Sequence, residues 1–186
     1  MPVRNAVGRT TRDYLRAGTA DSHDRLDLSL STLLDNGEHD YAAFLDMQFR
    51  ARAGIEGWLA ENCSENMPPP QIDLIGKDLA ELGQNSPTDT PPFETPIGSD
   101  PLGVFWVLAG SSLGNRAILA RLKNAGMQLP VAFLSDPQMT RFWKGLRLSL
   151  ERPHSLTVDQ AALIAAQATF AHFCRVAADI RVFEPA

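Results

Sequence analysis

Two features of the sequence have the residue types and spacing that chemistry requires, and the first is a histidine–carboxylate pair near the N-terminus. His23 is followed by Asp27, and side chains four residues apart on a helix are neighbours. A carboxylate in that position can hold an imidazole in one tautomer and leave its other nitrogen available as a metal ligand. The alternative is a core histidine bonded to a backbone carbonyl, since His23 lies between Thr19 and Leu26 on an apolar stripe that we expect to be buried. The spacing leaves both interpretations open.

The second feature is a pair of glycines, Gly110 and Gly114, inside an apolar helical pattern. Each glycine within a helix costs about 1 kcal/mol relative to alanine, so the pair needs a reason. Because glycine lacks a Cβ, the pair would let something flat and bulky touch the backbone, and the intervening Ser111 and Ser112 favour a bend. The alternative is close packing of another helix on this face.

Other catalytic motifs are not found in the sequence. None of the four histidines belongs to a His-Glu-x-x-His motif, and Ser111 does not follow a predicted strand as the serine of a nucleophile elbow must. The glycines match neither a dinucleotide-binding nor a phosphate-binding loop. Cys63 and Cys174 fit neither a zinc knuckle nor a disulfide framework. A flat iron macrocycle would use both remaining features, with the histidine on one side and the glycine-bearing helix on the other.

Helical periodicity places these residues on an all-α scaffold. Apolar positions recur with helical spacing, and no segment shows the alternation of a strand. Asp100-Pro101 and Asp136-Pro137 are typical helix starts, Gly83 and Gly126 are typical ends, and Thr157-Val158-Asp159-Gln160 resembles a capping box. The predicted helices span about 10–34, 38–59, 71–82, 100–126, 136–150 and 157–180. We therefore predict one domain over residues 1–186, with flexible termini at about 1–9 and 182–186.

Composition restricts the function classes. The 186 residues are 44% hydrophobic and 21% charged, as in an ordinary globular protein. A net charge of −5 argues against a nucleic-acid-binding surface. No apolar run reaches transmembrane length and the N-terminal segment lacks a signal-peptide core, so we expect no membrane association and a cytoplasmic location.

Several motifs, taken in order along the chain, resemble those of bacterial heme oxygenases, in particular the short biliverdin-producing type found beside bacterial phytochromes. The strongest match is at 103–114, where GVFWVLAGSSLG follows the family pattern Gly-x-x-Tyr-Val-x-Glu-Gly-Ser-x-Leu-Gly. The other matching motifs are Leu15-Arg16, Thr19, His23-x-x-Leu26-Asp27, Tyr41-x-x-Phe44-Leu45, Asp78-Leu79-x-x-Leu82-Gly83, Trp143 and the last helix, which is rich in alanine and phenylalanine. Together they cover most of the chain.

The resemblance implies a helical bundle with a kinked distal helix and an enzyme that opens heme at a meso carbon. The products would be biliverdin, carbon monoxide and iron. Heme would be both substrate and cofactor, O2 would be the oxidant, and electrons would come from an external reductase or ferredoxin. A bacterial phytochrome would be a candidate receiver of the biliverdin.

The resemblance also implies roles for individual residues. His23 would be the proximal iron ligand, with Asp27 as its carboxylate neighbour. Gly110, Ser111 and Gly114 would form the distal, oxygen-side surface. The remaining implied heme contacts surround the ring: Arg16 beside a propionate, Thr19 and Trp106 along the pocket, and Phe170 and Phe173 as walls from the last helix.

Three positions depart from the family pattern: Ala109 stands where glutamate is usual, Trp106 where tyrosine is usual, and Asn115 where glycine or alanine is common. If the glutamate only ties the distal helix to its neighbours, its loss costs stability. If instead it supports a distal water network, its loss impairs turnover while heme binding survives. One alternative is therefore a heme-binding or heme-sensing homologue without turnover. Another is a histidine-phosphotransfer bundle, which would need His23 exposed and would have no use for the glycine pair.

Overall fold

The computed structural model describes residues 10–31 and 38–182, and these residues form six α-helices without a strand. The helices are α1 (Thr11–Ser31), α2 (Glu38–Asn62), α3 (Ile72–Glu81), α4 (Leu102–Asn124), α5 (Pro137–Ser149) and α6 (Leu156–Val182). The predicted all-α class is confirmed. The termini predicted to be flexible lie largely outside the described residues.

Several helix ends lie where the sequence predicts them, because the capping residues act locally. Asp136 accepts hydrogen bonds from the backbone N–H groups of Gln138 and Met139, at 2.9 and 3.0 Å, and so starts α5. Gly83 and Gly126 follow α3 and α4 with φ of +72° and +70°. This left-handed conformation, which glycine adopts without strain, ends both helices.

The start of α6 differs from the prediction. The capping box predicted at Thr157–Gln160 is wrong in register, since α6 begins at Leu156. The backbone N–H of Ser155 donates to the carboxylate of Asp159 at 2.9 Å, and the N–H of Asp159 donates to the Ser155 carbonyl at 2.8 Å. Ser155 and Asp159 therefore cap this helix.

α6 is the central helix of the bundle. It packs against α1, α2 and α4, while α3 packs on α2 and α5 packs on α4. A Cβ built at Gly18 of α1 would lie 2.5 Å from the Leu163 side chain, and one at Gly103 of α4 would collide with the Ala162 carbonyl and lie 2.6 Å from the Ala166 nitrogen. Missing side chains thus bring α1 and α4 directly against α6.

The prediction that no apolar run reaches transmembrane length is wrong, because α4 and α6 are both long and apolar enough to cross a membrane by length and composition. This is weak evidence for a membrane protein, because core helices of soluble proteins pass the same test. In α4 39% of the apolar window is buried inside the bundle, and in α6 50% is buried. Both helices pack against other helices of the chain.

Candidate functional site

The histidine–carboxylate pair of α1 has the geometry that its spacing predicts. His23 Nδ1 lies 3.2 Å from Asp27 Oδ2 and 4.0 Å from a carboxylate oxygen of Asp24. Because an ionised carboxylate only accepts, this contact is a hydrogen bond when Nδ1 carries the imidazole hydrogen. Nε2, which then carries the lone pair, makes no hydrogen bond to any part of the chain that the structure describes. This is the tautomer that a metal-binding imidazole uses when a carboxylate orients it.

The expected burial of His23 is wrong. Its side chain is 59% exposed, whereas Thr19 and Leu26 on the same stripe are 4% and 9% exposed. At about 100° per residue, His23 is rotated about 40° from Thr19 on the side away from Leu26, which places it at the edge of the stripe. Its ring makes one aromatic contact, an edge-on approach to Phe170 at 6.0 Å between centroids. His23 is therefore not a core histidine bonded to a carbonyl.

His172 of α6 is the residue that has the core role. It is fully buried, with Nε2 3.1 Å from the carbonyl oxygen of Ala51 and Nδ1 3.2 Å from Arg175 Nη2. Nε2 must donate to the carbonyl and Nδ1 must accept from the guanidinium, so the ring is neutral, and burial lowers its pKa. His154 Nδ1 is bonded at 2.7 Å to a fully buried carboxylate. Of the three histidine side chains that the structure describes, only that of His23 is mostly exposed.

The glycine pair of α4 has no protein neighbour that requires glycine. A Cβ at Gly110 would meet only the ring of Trp143, at 4.0 Å, and a Cβ at Gly114 would meet nothing within 4 Å. Close packing on α6 explains Gly103 but neither of these two. Their cost of about 1 kcal/mol each therefore has no reason in the packing of the described chain. α4 is helical from Leu102 to Asn124, and the bend at this pair stays a prediction.

Ser111, between the glycines, contacts an arginine that is not among the predicted site residues. Arg52 of α2 donates from Nη2 to Ser111 Oγ at 2.9 Å and from Nε to Gln48 Oε1 at 3.1 Å. The Ser111 hydroxyl donates in turn to the carbonyl of Leu108 at 2.7 Å. Arg52 is 1% exposed, and burial lowers its pKa to about 10. It is therefore still a cation at neutral pH.

Two phenylalanines of α6, both predicted to be pocket walls, lie beside the functional groups described above: one beside His23 and the other beside Arg52. Phe170 contacts His23, as described above, and Phe173 lies 5.8 Å from the guanidinium carbon of Arg52. Both phenylalanines are buried, at 5% and 3% exposure. α6 thus connects the histidine of α1 with the serine and arginine between α2 and α4.

The other residues predicted to contact heme do not lie against His23 or against the Arg52–Ser111 pair. Arg16 is exposed, and Thr19 uses its hydroxyl to donate to the carbonyl of Leu15 at 2.8 Å. Trp106 packs against Trp143 at 5.5 Å between ring centroids, and Trp143 is the residue whose ring faces Gly110. Contact of these three with a bound ligand stays a prediction.

The sequence contains a signal that would have found Arg52. Gln48 and Arg52 lie one turn apart on a face of α2 that otherwise carries the apolar residues Leu45, Ile55 and Leu59. A polar pair on such a face must be buried with partners, because an unpaired buried polar group is costly. The pattern does not identify Ser111 of α4 as the partner of Arg52.

The fold of the chain is also found in a solved structure. It is similar to the heme oxygenase from Neisseria meningitidis, whose crystal structures are of the NO- and CO-bound forms, with a TM-score of 0.71 and 17% sequence identity over 94% of each chain. No family model matches the sequence, and no curated protein matches it. At this identity the similarity shows the fold, and the chain accordingly has the all-α heme oxygenase fold.

Proposed function

We propose that this protein is a heme oxygenase that opens heme to biliverdin, carbon monoxide and iron. The observation that carries the proposal is the pair Gly110 and Gly114, whose missing side chains no contact within the described chain explains. The heme oxygenase fold of the chain supports the proposal independently. The sequence resemblance adds three further proposals: a cytoplasmic location, an external reductase or ferredoxin as the electron donor, and a bacterial phytochrome as a receiver of biliverdin.

The residues fit a heme. A single imidazole nitrogen with a free lone pair is a suitable axial donor, because the porphyrin supplies the equatorial ligands of the iron. His23 offers that nitrogen on an exposed side chain. The open space at Gly114 and the distant ring at Gly110 leave backbone accessible to a flat group. The aromatic ring of Phe170 lies beside the histidine as a wall for such a group.

Each residue then has a physical role. His23 would hold the iron through Nε2, while Asp27 keeps the hydrogen on Nδ1 and raises the basicity of the ligand. The glycines would allow the backbone of α4 to approach the opposite face, where side chains would block it. Ser111 and Arg52 place a hydroxyl and a cation in the same stretch of α4. When bound, heme supplies both the metal that activates O2 and the carbon that is oxidised.

Two alternatives have specific observations in their favour. Ala109 is fully buried, so the glutamate usual in the family is replaced by a methyl group that cannot support a water network. This favours heme binding without turnover. The exposure of His23 meets one requirement of a phosphotransfer histidine. Asp24 and Asp27, both within 4.0 Å of its ring, would repel a phosphoryl group, and that function leaves the glycines unexplained.

Heme titration followed by reduction in air tests the proposal. We expect one heme to bind per chain with a sharp Soret band, and we expect that band to decay to the spectrum of biliverdin when a reductase and NADPH are added. A stable ferrous or ferric band after reduction would support the homologue without turnover. Absence of heme binding, together with acceptance of phosphate from acetyl phosphate at His23, would reject the proposal.

A further inference from the structure

Arg52 is a buried cation that makes no ion pair with a carboxylate of the described chain. Arg52 is 1% exposed, and its guanidinium carbon lies 5.0 Å from the ring centroid of Phe133 and 5.8 Å from that of Phe173. Its two hydrogen bonds go to neutral oxygens, those of Gln48 and Ser111. No carboxylate lies within 4.0 Å of it in the described ranges of the chain. Charges buried in a protein are normally paired, because an isolated ion is strongly disfavoured when it leaves water.

One nitrogen of this guanidinium is still available. Arg52 Nη1 is buried and has no hydrogen-bond partner, while Nε and Nη2 are both used. The neighbour of Ser111 on α4, Ser112, is also buried and its Oγ also lacks a partner. Unused buried donors are rare, so the free Nη1 requires an explanation.

Glu56, one turn after Arg52 on α2, does not provide that anion. It attracts Arg52 electrostatically, but it makes no ion pair within 4.0 Å and its Oε1 accepts from the backbone N–H of Gln71 at 2.7 Å. Its Oε2 is buried without a partner. Burial raises the pKa of this carboxyl, although its hydrogen bond from Gln71 and the charge of Arg52 act in the opposite direction.

We propose that Arg52 is the cationic half of a buried binding site for one small monovalent anion, with Nη1 as the donor. Because Nη2 of the same planar group is bonded to Ser111, the site lies beside the Gly110–Gly114 stretch of α4. In the heme-loaded protein, an extension that rests on the proposed function, Arg52 would favour anionic over neutral ligands of the iron. A charge-assisted hydrogen bond is the physical reason, since it is about twice as strong as a neutral one.

The heme-free protein tests the site directly. Azide is titrated in chloride-free buffer against the wild type, Arg52→Met, Arg52→Lys and Arg50→Met, and binding is followed by calorimetry and by the rise in Tm. Arg50 is the matched control, because it lies on the same helix and is already paired with Asp46 at 2.7 Å. We expect azide to bind the wild type and Arg50→Met equally, Arg52→Met at least about tenfold more weakly, and Arg52→Lys in between.

Replacement of a buried charge by an apolar side chain of similar length is often tolerated, so we expect Arg52→Met to fold. If it does not, Arg52→Lys and a bromide-soaked crystal decide the question. An anomalous bromide peak within hydrogen-bond distance of Nη1 supports the site. Equal azide affinity in the wild type and in the Arg52 variants, or a water molecule alone at Nη1 in the bromide crystal, would overturn the proposal.

The heme-loaded protein supplies the second comparison. Azide affinity of the ferric form should fall about tenfold or more in Arg52→Met, with carbon monoxide affinity of the ferrous form changed much less. If the protein binds no heme, the proposed function fails while the heme-free titration still decides the anion site. Weakened heme binding with unchanged azide affinity would assign Arg52 to a heme carboxylate and reject the small-anion site.

Discussion

His23 differs from the other described histidines in what its two ring nitrogens contact. Both nitrogens of His172 are used inside the core, and Nδ1 of His154 is bonded to Asp159. His23 has Nδ1 3.2 Å from the carboxylate of Asp27, and its Nε2 makes no hydrogen bond to the described chain. At the scale of single residues, this difference is the reason why we propose His23 as the donor for an iron bound from outside the chain.

We predict that His23→Ala removes the imidazole-ligated ferric heme spectrum without unfolding the protein. The side chain is 59% exposed, so the free energy of unfolding should change by less than about 0.5 kcal/mol. Absorption and EPR spectra of the heme complex measure ligation, and added imidazole should restore it. An unchanged spectrum in the variant would show that another residue ligates the iron.

We also predict that Asp27→Asn weakens the donor strength of His23, because an amide is a poorer acceptor for Nδ1–H than a carboxylate. The iron–histidine stretching frequency in resonance Raman spectra should fall, and the heme reduction potential should rise. Asp24→Asn is the control, since its carboxylate lies at 4.0 Å rather than 3.2 Å. Equal effects of the two variants would argue against a specific orienting bond.

At the scale of the helix, α4 contains glycines of two kinds, which differ in whether a neighbouring helix leaves room for a side chain. Gly103 is required by the approach of α6, since a Cβ there would collide with the backbone of Ala162. Gly110 and Gly114 are not required by any such contact. One helix therefore carries one glycine for folding and two for which we propose a ligand.

We predict opposite effects of alanine at these positions. Gly103→Ala should destabilise the fold by roughly 1–3 kcal/mol through overpacking. Gly114→Ala should stabilise it by up to about 1 kcal/mol and weaken heme binding. Gly57→Ala in α2, where a Cβ would also meet nothing, should give the same gain without affecting heme. Denaturant unfolding and heme titration measure the two effects, and equal heme affinity in the Gly114 and Gly57 variants would count against the proposed pocket.

The positions of several helix ends are predictable from sequence because caps are local. Asp136 and Gly126 act on their own helices, within a few residues of themselves. The start of α6 is mispredicted because the carboxylate of Asp159 caps Ser155 while also bonding to Thr11, far away in the sequence. The Arg52–Ser111 bond is missed for the same reason, since it joins two helices whose contact no periodicity reveals.

At the scale of the whole molecule, Asp159 joins the first helix to the last. Its fully buried carboxylate accepts from Thr11 at the start of α1 and from Arg152, His154 and Ser155 before α6. Burial alone would raise its pKa, but these four donors outweigh burial and hold the pKa below its ordinary value of 3.8. These hydrogen bonds therefore stabilise the folded state fully only while Asp159 is ionised.

We predict that this contribution is complete above pH 3.8 and is lost as the pH falls through the lower pKa of the folded protein. Asp159→Asn should therefore lower the free energy of unfolding at pH 7, by roughly 1–3 kcal/mol. Its difference from the wild type should narrow in strong acid. Denaturant unfolding as a function of pH tests this, with the exposed Asp179→Asn as control. A difference that does not depend on pH would show that shape rather than charge matters at this joint.

The unfilled glycine positions of α4 have a practical consequence for engineering. A campaign that selects only for heat resistance will enrich alanine at 110 and 114, because both substitutions improve the helix and neither collides with the chain. Under the proposed function, such thermostabilised variants would gain melting temperature as they lose the ability to bind the coloured ligand. A screen for thermostable variants should therefore measure the absorbance of bound heme together with the melting temperature.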